Sequence, residues 1–217
     1  MGFMKEIETL EALCCRYPGI SHAKDAIASA ADAIIECYKN GGTVYTCGNG
    51  GSAADADHIV GELMKGFVKL RPLPETDVKS FEALFGADEA ERLRKGLQCG
   101  LPAFSLHSQS ALLTAFLNDV DPAMVYAQMV YSAGRRGDVL IAISTSGNSD
   151  NVVNAARVAR VKGMKVISLV GEKECVLDTV SDLTIHVADN ETYRVQELHL
   201  PIYHWLCARV EAEFYNA

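Results

Sequence analysis

One run at the centre of the chain restricts its fold more than any other feature. Asp138-Val-Leu-Ile-Ala-Ile143 is apolar at every position after the aspartate, and it leads straight into Ser144-Thr-Ser-Gly-Asn-Ser149 and a helical pattern over 149–162. A strand that is apolar on both sides must be covered on both sides, the condition of a parallel strand inside an α/β sheet. The same order of strand, turn and helix occurs earlier, with a strand over 43–47, the turn Gly48-Asn-Gly-Gly-Ser52 and a helix over 53–65. Further strands are expected over 102–106, 164–170 and 183–187, with helices near 109–117, 122–134 and 175–181. Strands alternating with helices imply one five-stranded parallel sheet between two helical layers, a three-layer αβα sandwich.

The flanks are helical. A short helix is expected over 3–17, ending before Pro18. Ser21 is expected to cap a second helix reaching Lys39, with Ile27, Ala31, Ile34 and Tyr38 on one stripe. A long helix spans 191–214, and Pro201 within it removes one backbone hydrogen bond, marking a candidate kink. Residues 66–100 break the pattern with Pro72, Pro74 and the charged run from Ala87 to Lys95. This stretch is an excursion from the core with an exposed helix over 87–95, and a candidate lid. Residues 1–217 otherwise form a single domain of ordinary size, with a helical N-terminal region over 1–42.

Composition removes several classes of function. A net charge of −8 opposes a nucleic-acid surface, which needs clustered Lys and Arg. No apolar run approaches the roughly 20 residues of a membrane span, and no signal peptide is expected. The seven cysteines form an odd count without a CxxC and lie mostly in apolar contexts. Free thiols in a reducing cytoplasm are the expectation.

The two turns carry the first chemical signal. Ligands of an open α/β sheet bind beyond the carboxyl ends of its strands, where both turns fall. Glycines let backbone N–H groups approach an anion closely. The hydroxyls of Ser144, Thr145, Ser146 and Ser149 can donate to phosphate oxygens, and the following helix adds free N–H groups and a partial positive charge. Neither turn is a dinucleotide fingerprint or a Walker loop. An ordinary capped loop would use the same residue types. The repetition at matching positions favours an anion site.

A second signal lies on two helices. His58 and Glu62 are spaced i, i+4 and share one helix face. The C-terminal helix carries Gln196, His199 and His204 in an apolar frame. Gln196 and His204 are separated by about 80° and about 12 Å of rise, so they could converge only just, or serve different subunits. Two histidines, a glutamate and an amide oxygen suit Zn²⁺ or a similar divalent ion. The same spacing also describes a solvated His–Glu pair and a core histidine.

Together these motifs resemble the sedoheptulose-7-phosphate isomerase (phosphoheptose isomerase) family of the sugar isomerase (SIS) domain superfamily. The resemblance rests on the two turns, His58-x-x-x-Glu62, Asn118-Asp119, Gly163-Met-Lys-Val-Ile167 and Arg194-Val-Gln-Glu-Leu-His199, and runs from about Tyr45 to the C-terminus. It implies a flavodoxin-like doubly wound SIS domain, with N-terminal helices and a long C-terminal helix in the contacts of a cytoplasmic homotetramer. Asn49, Gly50, Gly51 and Ser52 match a first substrate-contacting turn, Asn118 and Asp119 a substrate-contacting pair, and Ser144, Thr145, Ser146 and Ser149 the phosphate-binding residues. His58, Glu62, Gln196 and His204 match the ligands of one zinc per subunit, Gln196 also touching substrate. Glu62 and His204 match the acid and base. The implied reaction interconverts sedoheptulose 7-phosphate and D-glycero-D-manno-heptose 7-phosphate through an enediol. Two departures touch substrate choice: the long 66–100 insertion, and Tyr193 where compact members carry an acid. A rival branch of the superfamily binds DnaA without catalysis, and others sense phosphosugars. The rival keeps the serine turn but lacks the glutamate and the second histidine filled here by Glu62 and His204.

Overall fold

The buried central run forms strand β3 (Val139–Ile143), and the sheet is built around it. The computed structural model, which describes residues 7–215, places β1 (Val44–Cys47) and β4 (Lys165–Val170) on either side of it. The edges are β2 (Ala103–Ser105) and β5 (Leu183–His186). The order is β2-β1-β3-β4-β5 and every pairing is parallel, with Val44 level with both Ala103 and Val139.

The strand period of two sorts β3 between the layers. Val139, Ile141 and Ile143 join the core under α1 (Leu10–Arg16), α2 (Lys24–Lys39), α3 (Gly51–Met64) and α10 (Thr192–Phe214). Leu140 and Ala142 join the opposite core under α6 (Ser110–Asp119), α7 (Val125–Ala133), α8 (Asp150–Lys162) and α9 (Val176–Val180). Between α3 and β2 the chain leaves the core as a hairpin of α4 (Glu75–Phe85) and α5 (Ala87–Gly96), which pack on each other.

Several boundaries differ from the sequence reading. Of the helix expected over 3–17, residues 3–6 lie outside the described residues, and α1 starts only at Leu10, capped by Thr9 accepting from Ala12 N. Ser21 does not cap α2. It lies inside a 3₁₀ segment, Pro18–Ala23, and its hydroxyl donates to Cys14 O at 2.9 Å. Residues 122–134 divide into a 3₁₀ turn, Pro122–Met124, capped by Asp121, and α7. The excursion holds two helices rather than one. The additional one, α4, buries no residue within the chain, although Val78, Phe81, Leu84 and Phe85 recur on it at helical spacing. Helix α10 continues through the buried Pro201 as one element. All seven cysteines are free thiols, and Cys14, Cys37, Cys47 and Cys207 are buried.

The parallel run of α3 beside α10 matters most for function, and a buried ion pair closes its lower end. Arg71 donates through Nε to Glu211 at 2.8 Å and through Nη1 and Nη2 to the carbonyls of Leu63 and Glu62. It thereby satisfies the open end of α3. Glu211 in turn accepts from the backbone N–H groups of Phe67, Val68 and Lys69. Both side chains are fully buried. Removing one charge from such a pair strands the other, which costs about 3–5 kcal/mol. Arg71→Ala should therefore lower the unfolding free energy by about that amount in urea titration, far more than a substitution at the exposed Arg92–Glu89 pair.

Candidate active site

Both glycine/serine turns stand beyond the carboxyl ends of neighbouring strands, β1 and β3. In the first, Gly50 adopts φ +55° and α3 begins at Gly51. A Cβ on Gly51 would lie 2.6–2.8 Å from the side-chain amide of Gln196, so the bare backbone leaves room for that amide against the turn. The first turn is tied down by Tyr126, which donates to Gly48 O at 2.8 Å. Asn49 and Asn151 exchange two amide hydrogen bonds of 2.9 Å, joining the first turn to the start of α8 beside the second.

The second turn is built to leave donors open. Ser149 is the N-cap residue of α8, yet its hydroxyl does not cap the helix. It faces the buried Ser144 hydroxyl at 3.0 Å. The first two N–H groups of α8, those of Asp150 and Asn151, carry the positive end of its dipole, whereas the Val152 N–H is taken by Ser149 O and Asn151 Oδ1, both at 3.0 Å. Thr145 is half-buried and Ser146 exposed. Gly147 adopts φ +65°, and a Cβ there would meet Cys175 Sγ at 2.1 Å. Backbone amides, hydroxyls and a helix terminus converge as an anion cradle needs.

The helix pair supplies the second half. His58 Nε2 lies 3.1 Å from Glu62 Oε1 and 3.5 Å from His204 Nε2. The two imidazoles meet edge to face with centroids 4.9 Å apart. Glu62 is nearly buried and is also reached by Lys65 Nζ at 3.1 Å. Burial, and then the neighbouring His58, hold His204 below the usual histidine value. On its other side His204 packs on Phe67, the start of the excursion.

The donor set has the chemistry of a zinc site, imidazole nitrogens with a carboxylate. Tetrahedral bonds of about 2.0–2.2 Å set ligand atoms about 3.3–3.6 Å apart, close to the two separations around His58. Among the described residues, however, no three His, Cys, Asp or Glu side chains form a closed ligand set. Gln196 stands at Gly51, at the upper end of the helix pair. Within one chain the residues fit a divalent ion in donor type and in two of the separations.

The structure thus gathers His58, Glu62 and His204, and separately gathers Asn49, Gly50, Gly51 and Gln196 near Ser144–Ser149. It does not bring in Asn118 and Asp119, which end the exposed helix α6 and are hydrogen-bonded to each other at 2.7 Å. His199 points away from the site into the core, donating to Val170 O at 3.3 Å. Four residues of this region escaped the sequence reading: Asp55, Tyr203, Tyr126 and Asn151. Asp55 and Tyr203 had a readable signal, lying one turn before His58 and next to His204.

Comparison with known proteins places the fold in a family. Residues 18–98 and 93–171 match the SIS domain family. The phosphoheptose isomerase of Laribacter hongkongensis is 36% identical over 205 residues, 93% of this chain and 91% of the relative. That of Helicobacter hepaticus is 39% identical over 188 residues, 87% and 82% of the two chains. The solved structure of a phosphoheptose isomerase from Francisella tularensis superposes with a TM-score of 0.70 at 28% identity, covering 94% of this chain and 98% of that one. The chain therefore belongs to the SIS domain family and, within it, to the phosphoheptose isomerases. It is a phosphosugar isomerase.

Two outcomes follow from the packing. Gly147→Ala should weaken sugar-phosphate binding by at least about tenfold, because a left-handed φ costs an L-residue about 1–2 kcal/mol and the new methyl meets Cys175. Cys175→Gly in that background, which removes both the Sγ and the Cβ that the methyl would meet at 2.1 and 2.5 Å, should restore part of the affinity in calorimetry. Burial pushes His199 down to about 4 from 6.5. The unfolded chain binds that proton first, so the contribution is complete above pH 6.5 and is lost as pH falls toward 4. The loss should approach about 3 kcal/mol, and His199→Leu should flatten this part of the stability profile.

Proposed function

We propose that the enzyme interconverts sedoheptulose 7-phosphate and D-glycero-D-manno-heptose 7-phosphate, with the phosphate held by Ser144, Thr145, Ser146 and Ser149 and the reactive end beside Glu62 and His204. The observation that carries this reading is the placement of Glu62 and His204 on either side of His58 Nε2, at 3.1 and 3.5 Å. That arrangement offers a base and an acid to one small volume. The sugar would lie between the cradle and this cluster, with Asn49, Gly50, Gly51, Ser52 and Gln196 along its length.

In the ketose-to-aldose direction the Glu62 carboxylate removes a proton from C1, and His204 gives one to the carbonyl oxygen on C2, leaving the 1,2-enediol. His204 then takes the proton of the C1 hydroxyl while protonated Glu62 returns its proton to C2. Atoms and charge balance, and the aldehyde now stands at C1. The reverse reaction exchanges the roles. His58, Glu62, Gln196 and His204 would hold one zinc or similar ion per chain, which when bound supplies polarisation of the carbonyl.

Homotetramer formation belongs to the same proposal. Helices α4 and α6 bury no residue within the chain, and Leu84, Phe85, Leu117, Val120 and Met124 lie exposed on and beside them. Exposed apolar surface of this kind is usual where subunits meet. Asn118 and Asp119 on α6 would then serve the site of a neighbouring subunit, and the α4–α5 hairpin would act as a lid. A cytoplasmic setting accords with seven free thiols. Among the described residues no helix is long and apolar enough to cross a membrane.

Zinc-loaded protein incubated with sedoheptulose 7-phosphate should yield the aldose by NMR, and protein purified without chelator should carry about one divalent ion per chain. Glu62→Gln should cut turnover by about 10²–10⁴-fold while phosphosugar binding survives. Binding without turnover in the wild type would instead favour a regulatory SIS protein.

A further inference from the structure

The phosphate cradle is held from outside by a ring of hydrogen bonds that closes through one histidine. Gly171, just after β4, donates its N–H to Thr145 O at 3.1 Å. Its carbonyl accepts from His186 Nδ1 at 2.8 Å. His186 Nε2 lies 2.8 Å from Asp178 Oδ1. Asp178 Oδ2 accepts from the Cys175 N–H at 2.8 Å, closing the cap of α9. The first N–H groups of α9 then return to the cradle, Leu177 to Gly147 O at 3.1 Å and Val176 to Asn148 Oδ1 at 2.9 Å. The turn is therefore gripped at Thr145 and again at Gly147, and His186 joins the two grips. Both partners of this imidazole only accept, one a backbone carbonyl and the other a carboxylate. Against the burial that would raise it, the Cys175 N–H and then His186 hold Asp178 below its usual value. Each ring nitrogen must therefore carry a proton to complete the ring. A neutral imidazole has one N–H and serves only one side.

We propose that His186 and Asp178 are positioning residues that lock the Ser144–Ser149 turn in its anion-binding shape, the lock being complete when His186 carries both ring protons. They act through Thr145 O and Gly147 O, which fix the direction in which the turn presents its hydroxyls and N–H groups. Loss of the second proton opens one side, so anion affinity falls as pH rises through the histidine range. The charged surroundings of His186 are sparse. Asp178 and Cys175 stand at the start of α9, and Glu172, Lys173 and Glu174 are exposed in the loop after β4. Helix α2 and the 3₁₀ segment meet β5 on its opposite face, where Ile185 joins the core. His186 shares no hydrogen bond with His58, Glu62, Gln196 or His204. The proposal rests on the cradle reading for its purpose, while the ring itself is a feature of the fold.

Hydrogen exchange by mass spectrometry on the full-length protein, corrected for the intrinsic pH dependence of exchange, reads the lock without any ligand. Protection over residues 144–149 and 171–178 should fall between about pH 5 and about pH 8. The His199 contribution to stability runs the other way, growing as pH rises, so it cannot mimic this fall. Affinity for inorganic sulfate, whose charge is constant over that range, should drop in parallel by about fivefold, the worth of one hydrogen bond. His186→Arg keeps two donors and a permanent charge, so both readouts should stay at the low-pH wild-type level throughout. His186→Gln should show weak protection with no pH step, and Asp178→Ala should lower protection of the same segments at every pH. A general loss of packing would not abolish the step in one variant and hold the protected state in another. A wild type whose protection is flat across that range, or a His186→Gln protein that keeps the wild-type step, overturns the proposal. The step in protection without sulfate binding at any pH would support the lock and refute the cradle reading, so the two failures separate.

Discussion

The side-by-side packing of α3 on α10 is the constraint on which the site depends. Helix α3 starts at Gly51, and the Gln196 amide fills the space a Cβ there would need, 2.6–2.8 Å away. From this point α3 and α10 run side by side from the ligand end of the sheet. Tyr203 then reaches Asp55 and His58, His204 reaches His58, and Glu211 receives Arg71 where α3 ends. A bulkier residue at 51 would have to displace the Gln196 amide, one of the proposed substrate contacts, from the upper end of the helix pair.

The sheet supplies a different kind of order. Parallel strands put every strand-to-helix turn of the same sense on one end, so the phosphate cradle and the start of α3 become neighbours without any direct pairing of their sequences. The reciprocal Asn49–Asn151 bonds convert that proximity into a fixed distance. The proposed cradle would bind its anion through dipoles and hydroxyls rather than Lys or Arg, which would let an acidic chain hold a phosphate.

Much of this was legible from residues alone. The apolar β3 run and its repeated strand–turn–helix order announced the parallel sheet, because a strand buried on both faces has few alternatives. Both turns and the His58–Glu62 spacing were readable because they are local. Partners separated by more than a hundred residues were not: Tyr203 with Asp55, and Arg71 with Glu211, are joined only by the parallel packing of α3 and α10. Helix α4 went unread although Val78, Phe81 and Phe85 recur at helical spacing, because Pro72 and Pro74 just before it marked the stretch as irregular, and Ser21 misled because its hydroxyl serves the preceding helix instead of the following one. His199 looked like a member of the polar constellation. Its place on the inner face of α10 makes it a core residue.

Sugar chemistry at the His58–Glu62–His204 cluster is the central claim, and a structure of the crystallised protein soaked with sedoheptulose 7-phosphate tests it most directly. The account predicts phosphate density on the Ser144–Ser149 turn, with C1 and C2 of the sugar within hydrogen-bonding reach of Glu62 and His204, from one subunit or two adjoining ones. Phosphate on that turn with the carbonyl end directed away from both residues would contradict it.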